Sequence, residues 1–344
     1  MSWQRVRGHE AQIEAFERAV RRGRLAHAYL FAGPPGVGKR LFARELARAL
    51  LCEGKAHGPQ PVGLNACDHC TACALVDANT HPDFFAVARP EGSNELPIEV
   101  MRELCRGFAL TSSRGRGKVC VLDDADDLND ASANCFLKTL EEPPPRSVFI
   151  LVGTGSERQL PTIVSRCQVV RFAPLPEATV TEILQGQELP DTALIPRLAR
   201  LAGGSPGQAL ALAEPALWVF RRQLLEKLLR PQPDTVALSR DWMHFVEEAG
   251  KESGLQRRRA ALVLRLLIEF FKDALAVSLG ATPKLAEPEE AQRLQGLTGR
   301  LSAEQMVALL ERCLEADQQI DRYVQLVLVI EGLLDALGRL LSVP

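Results

Sequence analysis

Tyr29-Leu30-Phe31-Ala32-Gly33-Pro34-Pro35-Gly36-Val37-Gly38-Lys39-Arg40 is the stretch whose reading decides the fold. Its first four residues are apolar and short enough for a buried strand. Behind it, Leu41 to Leu50 carries apolar residues at helical spacing. Strand, glycine-rich turn and helix form the context of a phosphate-binding loop. Glycines let backbone N–H groups converge on phosphate oxygens, the helix N-terminus adds a favourable dipole, and Lys39 supplies a cation. The eighth position departs from that pattern. A working loop continues from Lys to Ser or Thr, whose hydroxyl binds Mg²⁺. Arg40 stands there instead, and a guanidinium, a donor only, cannot coordinate a metal. The loop therefore predicts a nucleotide cradle without its usual metal ligand, so that ATP as a cofactor is in doubt.

Outward from the loop, 344 residues predict two or three domains. Apolar content of 46% supports well-formed cores, and the low aromatic content of 5% beside abundant Leu, Ala and Arg points to a helix-rich chain. A net charge of −2 argues against a polyelectrolyte that coats nucleic acid, so any DNA contact would be a local patch or belong to an assembly. No apolar leader follows Met1, and the apolar run Val324 to Leu341 is broken by Gln325, Glu331, Asp335 and Arg339. A reducing cytoplasm is expected, in which clustered cysteines read as a metal site before a disulfide frame.

Cys52, Cys67, Cys70 and Cys73 are spaced C-x14-C-x2-C-x2-C. Two-residue spacing lets neighbouring thiolates converge, and four thiolates close a tetrahedral Zn²⁺ shell, which makes the expected site structural. His57, His69 and His81 are alternative ligands, and free or redox-active thiols are the alternative reading.

Lys118-Val119-Cys120-Val121-Leu122-Asp123-Asp124 reads as a buried parallel strand delivering two carboxylates to the sheet edge. Asp123 would assist Mg²⁺, whereas Asp124, one methylene shorter than Glu, reaches a water poorly. The alternative is that these acids cap the next helix. Further strands are expected up to Val87, over Ser147 to Val152 with Gly153-Thr154 at its end, and over Gln168 to Phe172. Helices are expected near Ile13 to Val20, from Ile98, and over Ala133 to Glu142, where Pro143-Pro144-Pro145 stops the last. This alternation predicts an α/β domain with a mostly parallel sheet. After Ala173-Pro174-Leu175-Pro176-Glu177 the strand signals stop, and helical patterns separated by Pro/Gly breaks run to Leu341. Arg221-Arg222 and Arg257-Arg258-Arg259 read as solvated helix faces.

The phosphate loop, the four cysteines, His81-Pro82-Asp83, Leu137-Lys138-Thr139-Leu140-Glu141-Glu142-Pro143-Pro144 and Ser165-Arg166-Cys167 together resemble the bacterial clamp-loader subunits of the AAA+ family. The resemblance runs from about residue 26 to 172, and the C-terminal half matches in length and helical character only. It implies a RecA-like AAA+ domain over 1–173 with an inserted zinc module (52–73), a helical lid over 174–214, and an all-α collar over 215–344. It implies nucleotide-site positions at Gly33, Gly36, Gly38, Lys39, Asp123, Asp124 and Thr154. Two kinds of subunit share this layout. The ATP-hydrolysing gamma/tau kind would need Ser or Thr at 40, Glu at 124 and an arginine at position 207. Arg40, Asp124 and Gly207 instead liken the chain to the stator kind, in which Arg166 would act in trans on a neighbour's nucleotide. The partners then implied are gamma/tau and delta subunits in a five-subunit ring, with the sliding clamp and primer–template DNA reached through the assembly. Rival readings are a gamma/tau-like ATPase motor, a stand-alone AAA+ DNA-repair factor, and a DNA-binding module, the last disfavoured by the charge.

Overall fold

The computed structural model describes residues 2–54, 64–90, 93, 95–283 and 288–342. The chain forms two compact units, Met1–Gln187 with Ala202–Ala209, and Glu188–Leu201 with Leu210–Pro344. No helix among the described residues is long and apolar enough to cross a membrane.

The first unit is built on five parallel strands: β1 (Ala28–Ala32), β2 (Phe84–Val87), β3 (Val119–Leu122), β4 (Val148–Gly153) and β5 (Gln168–Arg171), in the order β2-β3-β4-β1-β5. Its helices are α1 (Glu10–Arg21), α2 (Lys39–Leu51), α3 (Thr71–Asp77), α4 (Ile98–Ala109), α5 (Asp130–Glu141), α6 (Pro161–Val164) and α7 (Glu177–Gln185). Successive strand residues point to opposite faces, and the two cores follow that period. Tyr29, Phe31, Val119, Val121 and Ile150 pack with Phe16 of α1 and Phe42 and Leu46 of α2. Ala28, Leu30, Cys120, Leu122 and Phe149 pack with Leu104 and Phe108 of α4 and Phe136 of α5 on the other face. Every residue of β1, β3 and β4 is buried, because helices cover both faces. Phe42, fully buried, touches the rings of Trp3, Phe16, Phe31 and Phe172, and burial of one such side chain stabilises by about 1.5–3 kcal/mol.

Parallel pairing puts the C-terminal ends of β1, β3 and β4 at one edge of the sheet. The glycine-rich loop, Asp123 and Thr154 emerge there. The helices begin and stop on local signals. Asn129 accepts from the Ser132 N–H at the start of α5, Pro143 lies two residues past its end, and Pro161 opens α6.

The second unit is helical throughout its described residues: α8 (Ile195–Leu201), the end of α9 (Pro206–Leu212), α10 (Pro215–Leu228), α11 (Thr235–Glu247), α12 (Ser253–Ser278), α13 (Pro288–Thr298), α14 (Ala303–Asp321) and α15 (Leu326–Leu341). Ser302 and Gln305 form a reciprocal capping box at α14. The arginine clusters depart from the expected solvated faces. Arg221 and Arg197 both pair with the buried Glu290, and Arg197 lies 4.2 Å over the Trp218 ring. Arg257 donates to the Ile320 and Tyr323 carbonyls, while Arg259 pairs with Glu214 and stacks on Phe245. Arg222 and Arg258 alone remain as exposed charges of the two runs. Long stems let arginines lie along apolar surface while their heads find acceptors, and residue type by itself does not reveal such partners.

Candidate functional site

Gly36, at φ +75°, turns the loop through a region that side-chain-bearing residues avoid. Five consecutive loop carbonyls find donors within the chain. Lys39 Nζ donates to Gly33 O and Pro34 O, at 2.6 Å each. Ser205 Oγ donates to Pro35 O at 2.8 Å, and the Gly207 N–H to Gly36 O at 2.9 Å. His9 Nε2 donates to Val37 O at 2.8 Å, its ring packed edge-on against Phe172. A net gain of roughly 0.5–1.5 kcal/mol per hydrogen bond makes this bracing substantial. These contacts brace the loop from within the chain.

Gly207 matters for a different reason. A Cβ placed there would stand 2.8 Å from Gly36 Cα and 3.1 Å from Gly36 O, both backbone atoms that yield only if the loop moves. Gly207→Ala should therefore destabilise the protein by about 1–3 kcal/mol, the usual cost of overpacking. Denaturant unfolding would measure this, and an unchanged midpoint would show that the loop gives way freely.

Lys39 is buried and carries its charge with difficulty. Desolvation lowers its pKa, opposed by the charges of Asp126 and Asp123. Arg40 reaches 3.2 Å from Asp123 Oδ2. The residue standing where a metal-binding hydroxyl belongs is thus paired with the strand-end acid that a metal would need. Burial raises the Asp123 pKa and Asp124 raises it further, with Arg40 acting in the opposite sense. Asp124 takes a left-handed conformation, φ +52°, and its side chain caps nothing, so the helix-capping alternative does not hold for it.

Thr154 stands beside the loop, since its carbonyl accepts from the Gly33 N–H at 3.0 Å. Both its N–H and its hydroxyl donate to Asp126 Oδ2, at 2.7 Å each, and Gln159 Nε2 donates to Oδ1. All the expected nucleotide-site residues therefore gather at one sheet edge. Sequence reasoning missed His9, Asp126 and Gln159 as functional neighbours. A lone histidine ahead of a helix carries no signal. Asp126 follows two acids that looked better placed.

Arg166 lies just past α6, one-third exposed. Its Nη1 donates to Thr162 O at 2.8 Å and to Ser165 Oγ at 3.2 Å, and its Nη2 pairs with the Glu141 carboxylate.

The four cysteines converge away from this edge, at the far end of α2. Their sulfurs all lie within 4.8 Å of one another, with Cys52 and Cys70 4.0 Å apart. A tetrahedral Zn–S₄ shell with bonds near 2.3 Å sets sulfurs about 3.8 Å apart, so the donor set fits such an ion. Backbone N–H groups of Cys67, Cys70 and Cys73 donate to the sulfurs of Cys52, Cys67 and Cys70, at 3.2–3.4 Å. Burial alone would raise the Cys70 thiol, but the N–H groups of Cys73 and Glu53 and the neighbouring thiols outweigh it and bring it down to about 6. Burial pushes Cys52 and Cys73 up. All nine cysteines are free of disulfides. Neither His69 nor His81 joins the group, His57 lies outside the described residues, and His81 Nδ1 instead accepts from the Asp83 N–H.

A parallel sheet of this order, with a glycine-rich loop after β1 and acids after β3, defines a P-loop α/β protein. The family described as "DNA polymerase III, delta subunit" matches residues 8–176. The chain is similar to DNA polymerase III subunit delta' of Escherichia coli strain K12, 34% identical over 299 residues that cover 86% of this chain and 84% of that one. It is also similar to the Pseudomonas aeruginosa strain PAO1 subunit delta', 37% identical over 64% of this chain and 67% of the relative. DNA polymerase III subunit gamma/tau of Mycobacterium tuberculosis strain H37Rv is 34% identical over 63% of this chain but only 37% of its own length. The chain belongs to the DNA polymerase III delta' family, and the clamp-loader role expected from its motifs stands with that membership.

Proposed function

We propose that this chain is the stator of a clamp loader, lending an arginine to a neighbouring ATPase subunit while turning over little or no ATP itself. The observation that carries the reading is the Arg40–Asp123 pair. Two positions that would share a Mg²⁺ in a working site are occupied by each other, and a cation that cannot release its proton takes the metal's place. Lys39 is likewise engaged with loop carbonyls. Gly207 stands where the motor kind carries an arginine, so that position supplies no cation for a γ-phosphate.

On this reading the proposed division is an AAA+ domain over 1–173, a lid over 174–214 and a collar over 215–344. Gly33, Gly36, Gly38, Lys39, Asp123, Asp124 and Thr154 mark an inherited nucleotide site whose machinery serves the fold. Cys52, Cys67, Cys70 and Cys73 would hold Zn²⁺ as a structural cross-link. The chain would join gamma/tau and delta subunits in a five-subunit ring, and meet sliding clamp and primer–template DNA through it. The setting would be the cytoplasm.

Reconstitution tests this. The purified chain mixed with gamma/tau and delta subunits should elute as one hetero-oligomer with DNA-stimulated ATPase, and the chain alone should show no turnover above background. Turnover by the chain alone, abolished by Lys39→Ala, would favour the motor reading. Self-assembly without the other subunits would favour a stand-alone factor.

A further inference from the structure

We propose that Glu141 is a positioning residue for Arg166, an inference that rests on the in-trans reading of that arginine. Glu141 is the last residue of α5, and Arg166 follows α6 by two residues. The two side chains meet across 25 positions of sequence. The guanidinium is held on three acceptors: its Nη1 donates to the Thr162 carbonyl of α6 and to the Ser165 hydroxyl, and its Nη2 to the Glu141 carboxylate. Glu141 closes the twelve-residue α5, whose C-terminal end carries partial negative charge and so favours a cation there.

A free arginine side chain carries roughly 2 kcal/mol of rotamer entropy, which a group that must meet a neighbour's phosphate would lose on arrival. Here Glu141, Thr162 and Ser165 impose that order beforehand. Arg166 keeps one-third of its side chain exposed and Glu141 one-half, so the pair sits at the surface where a neighbouring subunit can reach it. A planar fork held through both Nη groups presents its remaining N–H groups in a fixed plane. Glu141 touches no substrate on this account and acts through Arg166 alone. As an exposed ion pair it would contribute only about 0–1 kcal/mol to stability, too little to explain it as a structural strut.

The test uses the reconstituted loader with four forms of this chain: wild type, Glu141→Ala, Arg166→Ala and the double variant, with Glu141→Gln as the conservative arm. A displaced catalytic group of this kind costs roughly 10- to 100-fold, so Glu141→Ala should lower kcat for DNA-dependent ATP hydrolysis by that factor at the site served, with KM for ATP little changed. Glu141→Gln, which keeps an acceptor oxygen, should recover part of the loss. In the Arg166→Ala background, Glu141→Ala should add nothing. A normal kcat for Glu141→Ala beside an impaired Arg166→Ala would overturn the positioning role and leave the finger intact. An equal loss in both backgrounds would make Glu141 structural, and a raised kcat would make it a brake, either of which overturns the proposal. A normal kcat for Arg166→Ala would overturn the in-trans reading, and this inference with it.

Discussion

Arg166→Ala is expected to leave a chain that folds and assembles normally but starves a neighbouring subunit of catalysis. Truncation removes an exposed pair with Glu141 and hydrogen bonds to Thr162 and Ser165 at the surface. An exposed ion pair contributes about 0–1 kcal/mol, so the melting temperature should move by a few degrees at most. The kinetic effect is of another order. Charge spreads over the equatorial oxygens of a phosphoryl group in flight, and a guanidinium placed against them in trans is worth about 10³–10⁵ in rate. Single-turnover hydrolysis at the served site should fall by that range, while steady-state turnover of the whole loader falls less because other sites continue. Nucleotide binding to the neighbour should change far less than hydrolysis, since the contact strengthens in the transition state. Unchanged hydrolysis in an intact complex would remove the in-trans role, and a complex that fails to form would make Arg166 an assembly residue.

How much of this was legible depended on the range of the interaction. β1, the loop and α2 follow one another without a break, so their order and local signals were enough to place them. The same holds for Val119 to Asp124 and for the stop at Pro143. In the C-terminal half, the helices α10 to α15 were legible from period and Pro/Gly breaks. Their packing was not, because Arg221, Arg257 and Arg259 find partners 45 to 69 positions away. The short α6 and α3 gave too few turns for a periodic signal. At the site, position 40 announced a missing hydroxyl, but the sequence held no sign that Arg40 would turn to Asp123. Ser205 and Gly207 were visible as a variant motif, and their grip on Pro35 and Gly36 lies some 170 positions away. The Glu141–Arg166 pair joins two recognisable motifs whose contact neither motif implies. Motif spacing reports what a segment can do alone, whereas pairing across the sheet edge is a property of the closed fold.

Metal removal should have the second large effect. The purified chain is expected to contain one zinc per molecule, and Cys70→Ser or a strong chelator should release it and destabilise the first unit by about 4–5 kcal/mol, at the large end for a single change. The cost falls short of a free-standing zinc finger's because α2 is already held by the sheet through Phe42 and Leu46. It remains large because the module covers buried charge. Glu45 and Arg48 of α2 are almost fully buried, 2.8 Å apart, and Arg48 also reaches Asp68, between Cys67 and Cys70, at 2.7 Å. If the module melts, Asp68 leaves and Arg48 loses one of its acidic partners while Glu45 still depends on it, and breaking a buried charge network is costly. The Trp3 indole bond to the Leu64 carbonyl would go with it. Hydrogen exchange should therefore quicken in α3 and at the C-terminal end of α2, with the β-strand core nearly unchanged. Because thiols must shed their protons to bind, metal should also leave as pH falls. A folded, metal-free protein with the same exchange pattern and melting temperature would reduce the four cysteines to thiols brought together by packing.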